Sequence, residues 1–290
     1  MHSEVELLVD AHAAIGEAPL WCEEEAALYW IDVKAPALYR TKIDTGSTRS
    51  WPLPADIGGY ALNPNGSGAV VGLRIGIFAL DFTTGTVAPL CKPPFDPNKH
   101  RFNEGDCDRS GRLWLGTMFD PQIDCPPEKQ ELYSFTLSGG LERHGAEALL
   151  HNGFAWNAAS DEFYIAHTRE GRIYAYAFDL KCGALGERRL LAEVDKETGV
   201  PDGGAIDCKG FYWSAIHGGG CLHRYAPDGR LDAIIELPVR NPTMMAFCGP
   251  GLRELCVTTA SHRKPGAPHE GGVFRLRPGF TGQPRRAHLC

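Results

Sequence analysis

Short β-rich runs recur along the chain at nearly even spacing. LYWID, GAVVGL, RLWLGTM, EFYIAHT, FYWSAI and ELCVTTA begin near Leu28, Ala69, Leu113, Phe163, Tyr212 and Leu255. By subtraction the steps are 41 to 50 residues. Each run is too short for a helix and is bounded by turn residues, so each reads as a strand. A period of roughly 40–50 residues is that of a propeller blade, one four-stranded sheet per repeat. Six such units fill the 290 residues, within the usual range of about 4–8 blades. The pattern predicts an all-β, six-bladed β-propeller forming a single domain over residues 1–290. An ordinary sandwich or barrel is the competing architecture.

A polar residue stands about ten positions before four of these runs. Glu17 lies in GEAPLW, Asn103 in RFNEGDCD, Asn152 in HNGFAW and Asp202 in PDGGAID. If each repeat opens with its innermost strand, these residues share one end of a central channel. Strands alternate in direction, so the turn between the second and third strands lies at the same end. That turn contains Phe119-Asp120-Pro121, His167-Thr168-Arg169 and His217-Gly218-Gly219 in three of the units. The units after DIGGYALNPN and NPTMMAFCGP fit the pattern less cleanly. VELLVD near the N-terminus reads as a strand without a blade of its own. Pairing it with the C-terminal GGVFRLRPG, expected to supply the inner part of the last blade, would close the ring and remove open edges.

Some polar residues are excluded from the site by turn chemistry. CDRSGRLW, DCKGFYW and YAPDGRL place an Asp and then a Gly before a strand. The Asp starts a turn and the Gly supplies positive φ. Asp108, Gly111, Asp207, Gly210, Asp228 and Gly229 are therefore structural.

Composition narrows the partners. The 34 Gly and 21 Pro fall mostly between the apolar runs, and no linker divides the chain. The net charge is −7, without a basic cluster beyond pairs such as Arg188-Arg189 and Arg285-Arg286. That disfavours nucleic acid. The acidic N-terminus has no signal-peptide core, and Arg74 interrupts the longest apolar stretch, well short of the roughly 20 residues of a membrane span. A cytoplasmic protein is expected; without a secretory signal its ten cysteines are expected as thiols, and none form a C-x-x-C pair of a zinc knuckle or thioredoxin motif.

The candidate chemistry is oxygen-rich. Glu17, Asn152 and Asp202 offer two carboxylates and an amide oxygen, which suit a hard divalent cation such as Ca²⁺, Mg²⁺ or Mn²⁺. Arg101 and Asn103 carry donors and acceptors suited to sugar hydroxyls; alternatively, Arg101 only pairs with a carboxylate such as Asp120. His151, His167 and His217 fall near the same face, as packing residues or substrate contacts. No serine elbow, phosphate loop, dinucleotide fingerprint or H-E-x-x-H motif is present.

GEAPLW, RFNEGDCDRSGRLWLGTM, NGFAW, PDGGAIDCKGFYW and the terminal GGVFRL, in this order, resemble the gluconolactonase/regucalcin (senescence marker protein) family over nearly the whole chain. The resemblance implies a propeller with one divalent cation in its channel, Zn²⁺ included among the candidates, and hydrolysis of a sugar lactone to the aldonic acid. Carried over by motif, Glu17, Asn152 and Asp202 would hold the metal, and Asp202 would also activate water. Arg101 and Asn103 would contact the substrate. Asp120 would join them, standing where the family often has an acidic residue after G-T-M. His217 replaces a common Trp and His167 a common acidic residue, so the pocket wall departs from the family pattern. A calcium-binding regulatory protein and an arylesterase or phosphotriesterase-like hydrolase are the alternatives.

Overall fold

A strand of blade 1 shows how the ring is built. In Ala27–Asp32 every residue is buried. Tyr29 and Ile31 join a core with Tyr60, Leu62 and Val71 of the next blade. Leu28 and Trp30 point the other way, into a core with Cys248, Cys256 and Val273 of the preceding one. Successive side chains leave a strand on opposite faces, so a strand sandwiched between two sheets reads as a continuous apolar run. This is why LYWID does not alternate.

The computed structural model describes residues 4–262, 268–285, 288 and 289. Six four-stranded antiparallel sheets stand in sequence around one axis. Blade 1 runs Gly16–Cys22, Ala27–Asp32, Ala37–Lys42 and Thr48–Pro52 from the axis outward; blade 2 runs Ile57–Leu62, Gly68–Leu73, Gly76–Asp81 and Val87–Cys91. Blade 3 is His100–Cys107, Leu113–Phe119, Tyr133–Thr136 and Gly140–Arg143; blade 4 is His151–Trp156, Glu162–His167, Arg172–Asp179 and Ala184–Glu193. Blade 5 is Val200–Ile206, Tyr212–His217, Cys221–Tyr225 and Leu231–Glu236. Blade 6 takes Pro242–Cys248, Glu254–Thr259 and Val273–Leu276 from the C-terminal end and Val5–Val9 from the N-terminal end. The six apolar runs found in the sequence are the six second strands. Among the described residues the only helical turns are two 3₁₀ segments, Thr168–Glu170 and Pro250–Leu252, and no helix is long and apolar enough to cross a membrane.

Ring closure departs from the sequence expectation in one detail. Val5–Val9 pairs antiparallel with Val273–Leu276, with Val5 opposite Leu276 and Leu7 opposite Phe274. GGVFRL is thus the third strand of the last blade, and the N-terminal strand is the outermost. The innermost place is taken by Pro242–Cys248, and Glu254–Thr259 lies between it and Val273–Leu276.

The turn residues behave as expected. Asp108 Oδ1 accepts from the Ser110 N–H at 2.8 Å, and its Oδ2 accepts from the Trp114 indole at 2.9 Å. Asp207 repeats this with Lys209 N–H and the Trp213 indole. Each turn Asp therefore also satisfies a buried indole of the following strand. The nine described cysteines are free thiols; Cys290 lies outside the described residues.

Beyond blade 6 the chain crosses the far end of the channel. Gly282 bridges Asp207 of blade 5, Gln283 Nε2 donates to Trp156 O of blade 4, Arg285 pairs with Asp106 of blade 3, and His288 bridges Leu62 of blade 2. A cavity of about 300 Å³ lies there, lined among others by Trp21, Asp106, Trp156, Phe247 and Arg285.

Removing residues 1–10 would leave Val273–Leu276 as an unpaired edge and expose the part-buried apolar side chains of Val5–Val9. The loss is on the order of 3 kcal/mol, which lowers the Tm of a domain of this size by about 5–10 °C. Thermal unfolding followed by circular dichroism checks this; an unchanged Tm would refute the closure role.

Candidate active site

Each innermost strand breaks its ladder near its first residues. Register shifts fall between Glu17 and Leu20, Ile57 and Gly59, Phe102 and Gly105, Asn152 and Ala155, Pro201 and Gly204, and Pro242 and Met244. A bulge leaves residues unpaired and re-aims their side chains. Glu17, Asn103, Asn152 and Asp202 all stand at or inside these bulges. Ala18 (φ 47°) and Gly153 (φ 70°) hold the bulged backbone in the left-handed region. For Ala18 that conformation is unusual and marks local strain. In blade 2 the bulge residue is Gly58, where a Cβ would lie 2.1 Å from the Phe102 carbonyl carbon. Close contact with blade 3 leaves no room for a side chain, so that blade contributes none to the cluster from its bulge.

Interactions tie four of the sequence-derived residues together. Asn103 Nδ2 donates to Asn152 Oδ1 at 2.6 Å and to His151 O at 3.0 Å. Asn152 Nδ2 donates to Thr168 Oγ1 at 2.8 Å. Glu17 is 7% exposed and accepts the Ala18 N–H at 2.8 Å. Asp202 keeps 14% of its side chain exposed, with His217 Nδ1 at 3.5 Å. Burial first, and then the charge of Asp202, holds the Glu17 pKa well above the usual carboxylate range, against the Ala18 N–H and Arg101. Burial and then Glu104 raise Asp202 likewise, with Arg101 opposing.

Glu104 is the member that sequence reading missed. It is 2% exposed. Its Oε2 accepts from Gly153 N–H at 2.5 Å and its Oε1 from Phe154 N–H at 2.6 Å. Burial and then Glu17 push its pKa up to about 8, against those two N–H groups and Arg285. Three carboxylates thus crowd one end of the channel. Among the described residues, no group of three or more His, Cys, Asp and Glu side chains is arranged to hold a metal ion by itself; the constellation includes the amide oxygen of Asn152.

Beside this acidic hub stands a network of opposite character. Lys34 Nζ lies 2.7 Å from both Asp56 and Asp120. Arg74 contacts the same two carboxylates. Arg101 Nε is 3.0 Å from Asp120, its Nη1 donates to Phe102 O, and its Nη2 meets Met118 Sδ. Arg101 therefore pairs with Asp120, the alternative that the sequence left open. Lys34, Asp56 and Arg74 were not foreseen. Lys34 and Arg74 follow the second strands of blades 1 and 2, as Asp120 and Thr168 do in blades 3 and 4, while His217 ends that strand in blade 5. Reading that turn in every repeat would have found Lys34 and Arg74; Asp56 stands just before the first strand of blade 2.

The histidines divide. His151 Nε2 donates to Ala146 O and its Nδ1 accepts from Thr117 N–H; burial lowers its pKa to about 4. His167 is buried against His151 and Tyr174. Both are packing residues. His217 lies at the rim with its Nε2 3.0 Å from that of His262. Burial and then His262 lower its pKa to about 4, so near neutral pH its contact with Asp202 is not an ion pair.

Burial alone would raise the Asp120 pKa, but Arg101, Lys34 and Arg74 bring it down to about 2. The unfolded value is about 3.9. A depressed folded pKa contributes stability above the unfolded value, and that stability disappears as pH falls toward 2. Asp120→Asn is expected to cost about 2 kcal/mol at pH 7 and to flatten the stability profile between about pH 4 and pH 2. Urea denaturation across that range decides it; a variant profile parallel to wild type would show that Asp120 does not hold the network.

The chain is similar to known proteins over nearly its whole length. A 6-deoxy-6-sulfogluconolactonase from Pseudomonas putida is 33% identical over 288 residues, covering 97% of each chain. The pentonolactonase XacC of Haloferax volcanii is 29% identical over 290 residues, covering 96% of this chain and 95% of its own. The crystal structure of a calcium-binding protein, regucalcin, from Agrobacterium tumefaciens superposes with a TM-score of 0.89 at 24% identity, over 100% of this chain and 98% of that one. Residues 15–261 match the description shared by such proteins, and the chain belongs to the SMP-30/Gluconolactonase/LRE-like region family.

Proposed function

We propose that the protein is a divalent-cation-dependent sugar lactonase that opens a cyclic ester to the aldonic acid. The observation that carries this reading is the buried cluster of Glu17, Asp202 and Asn152 at the strand bulges, in a chain related to named lactonases. Burial first raises the pKa of both carboxylates; Asp202 then adds to the rise of Glu17 and Glu104 to that of Asp202, and Arg101 only partly offsets them. Buried like charges are unfavourable unless a cation joins them. An oxygen-only set of Glu17, Asp202 and the Asn152 amide fits a hard divalent ion. When bound, such an ion polarises an ester carbonyl and makes water more acidic.

The chain's own residues supply the rest. Asp202, the more exposed carboxylate of the two, accepts the proton of the attacking water as the new C–O bond forms. It returns that proton to the ring oxygen as the ring C–O bond breaks. Asn103 commits its Nδ2 to Asn152 and His151 and offers its Oδ1 to a substrate hydroxyl. Asp120, the more exposed of the pair, faces the ring and orients it, with Arg101 buried behind it and holding its carboxylate. Asn103 thus serves both ligand and substrate, whereas the sequence assigned it to substrate alone.

The test is a turnover panel of sugar γ- and δ-lactones, aryl esters and a phosphotriester, before and after EDTA. Sugar lactones are expected to be hydrolysed, to stop with EDTA and to recover with Ca²⁺ or Mn²⁺. Asp202→Asn is expected to lose about 10²–10⁴ in kcat. Indifference to EDTA would end the cation reading. A near-wild-type rate for Asp202→Asn would end its role as base. Tight Ca²⁺ binding without turnover of any substrate would favour the regulatory protein instead.

A further inference from the structure

The main chain that carries Asn152 is held from outside its own strand. At the blade 4 bulge, Gly153 and Phe154 have no ladder partners between the Asn152–Ala166 and Ala155–Tyr164 pairs. Buried backbone groups need partners, and here other blades provide them. Glu104 of blade 3 takes both N–H groups, one on each carboxylate oxygen, at 2.5 and 2.6 Å. Tyr212 of blade 5 donates its hydroxyl to Gly153 O at 2.8 Å. The fit is close: a Cβ on Gly153 would lie 2.3 Å from that hydroxyl oxygen.

We propose that Glu104 is a positioning residue: by clamping the Gly153–Phe154 backbone, it sets the direction in which Asn152 presents its amide oxygen to the channel axis. The inference rests on the reading of Asn152 as a cation ligand. The clamp requires a carboxylate of this length. A glutamine has one acceptor oxygen, and its amide would turn a donor against the second N–H. An aspartate keeps the charge and both acceptors but is one methylene short of the two N–H groups. A residue acting only through its negative charge would tolerate the aspartate. The two roles can therefore be separated.

The experiment is Ca²⁺ titration calorimetry on the full chain, wild type against Glu104→Gln, Glu104→Asp and Tyr212→Phe, with amide hydrogen exchange read at Gly153 and Phe154. Loss of such supporting contacts commonly weakens metal binding by about 10–100-fold. Both Glu104 variants are expected to lose affinity in that range. Tyr212→Phe, which leaves the charge untouched, is expected to lose several-fold. All three should exchange faster at positions 153 and 154. Wild-type affinity in Glu104→Asp and Tyr212→Phe would overturn the proposal, leaving Glu104 a charge and no more. Faster exchange with unchanged affinity in every variant would overturn it equally. If Glu104→Gln does not fold, Glu104→Asp and Tyr212→Phe decide the matter. A wild-type protein that binds no Ca²⁺, Mg²⁺ or Mn²⁺ would sink the cation reading and this inference with it, while the exchange data would still show whether the clamp exists.

Discussion

No blade of this protein owns its core. Each apolar cluster is shared by two neighbouring sheets, so every second strand is dry on both faces. A four-stranded sheet alone would expose one of those faces to water. Stability is therefore a property of the closed ring, and the strand directions it imposes are rigid. That rigidity brings side chains from four different repeats to one end of the axis. The candidate site residues stand at bulges, where the ladder is already interrupted, so they can vary without disturbing the interblade packing.

The site end is electrically divided. Glu17, Glu104 and Asp202 form a carboxyl-rich hub whose pKa values are raised first by burial and then by one another. Lys34, Arg74 and Arg101 pair with Asp56 and Asp120 in the other half. Arg101 touches both halves: it pairs with Asp120 and also lowers the pKa of Glu17 and Asp202. An ion in the hub and a polar ring on the rim would meet complementary fields.

The fold was largely legible because burial on both faces writes strands as unbroken apolar runs. The six runs matched the six second strands. Glu17, Asn152 and Asp202 were legible for a related reason: each stands one repeat-equivalent step before such a run. Glu104 was not. It lies beside Asn103 in a turn-like stretch rich in Asp and Gly, and nothing local marks it as reaching across to another blade. The bulges were equally invisible, since an extra residue in a ladder leaves no compositional trace. Lys34, Asp56 and Arg74 are ordinary charges until the ring gathers them. The misplacement of GGVFRL has the same root: the pattern of a strand with two partners does not say how far from the axis it stands.

The sheet that closes the ring joins Val5–Val9 to Val273–Leu276. A ribosome makes the first of these strands long before the last. Blades 1 to 5 can pair internally as they emerge, but the opening strand has no partner until almost the whole chain is out. Pairing over such a sequence separation is slow, and an unpaired strand is exposed to association with other chains. The closing sheet is therefore the last to form, and Val5–Val9 is the vulnerable strand until Val273–Leu276 reaches it. Cellular concentration and chaperone capacity, and not active-site chemistry, set how safely that stage is crossed.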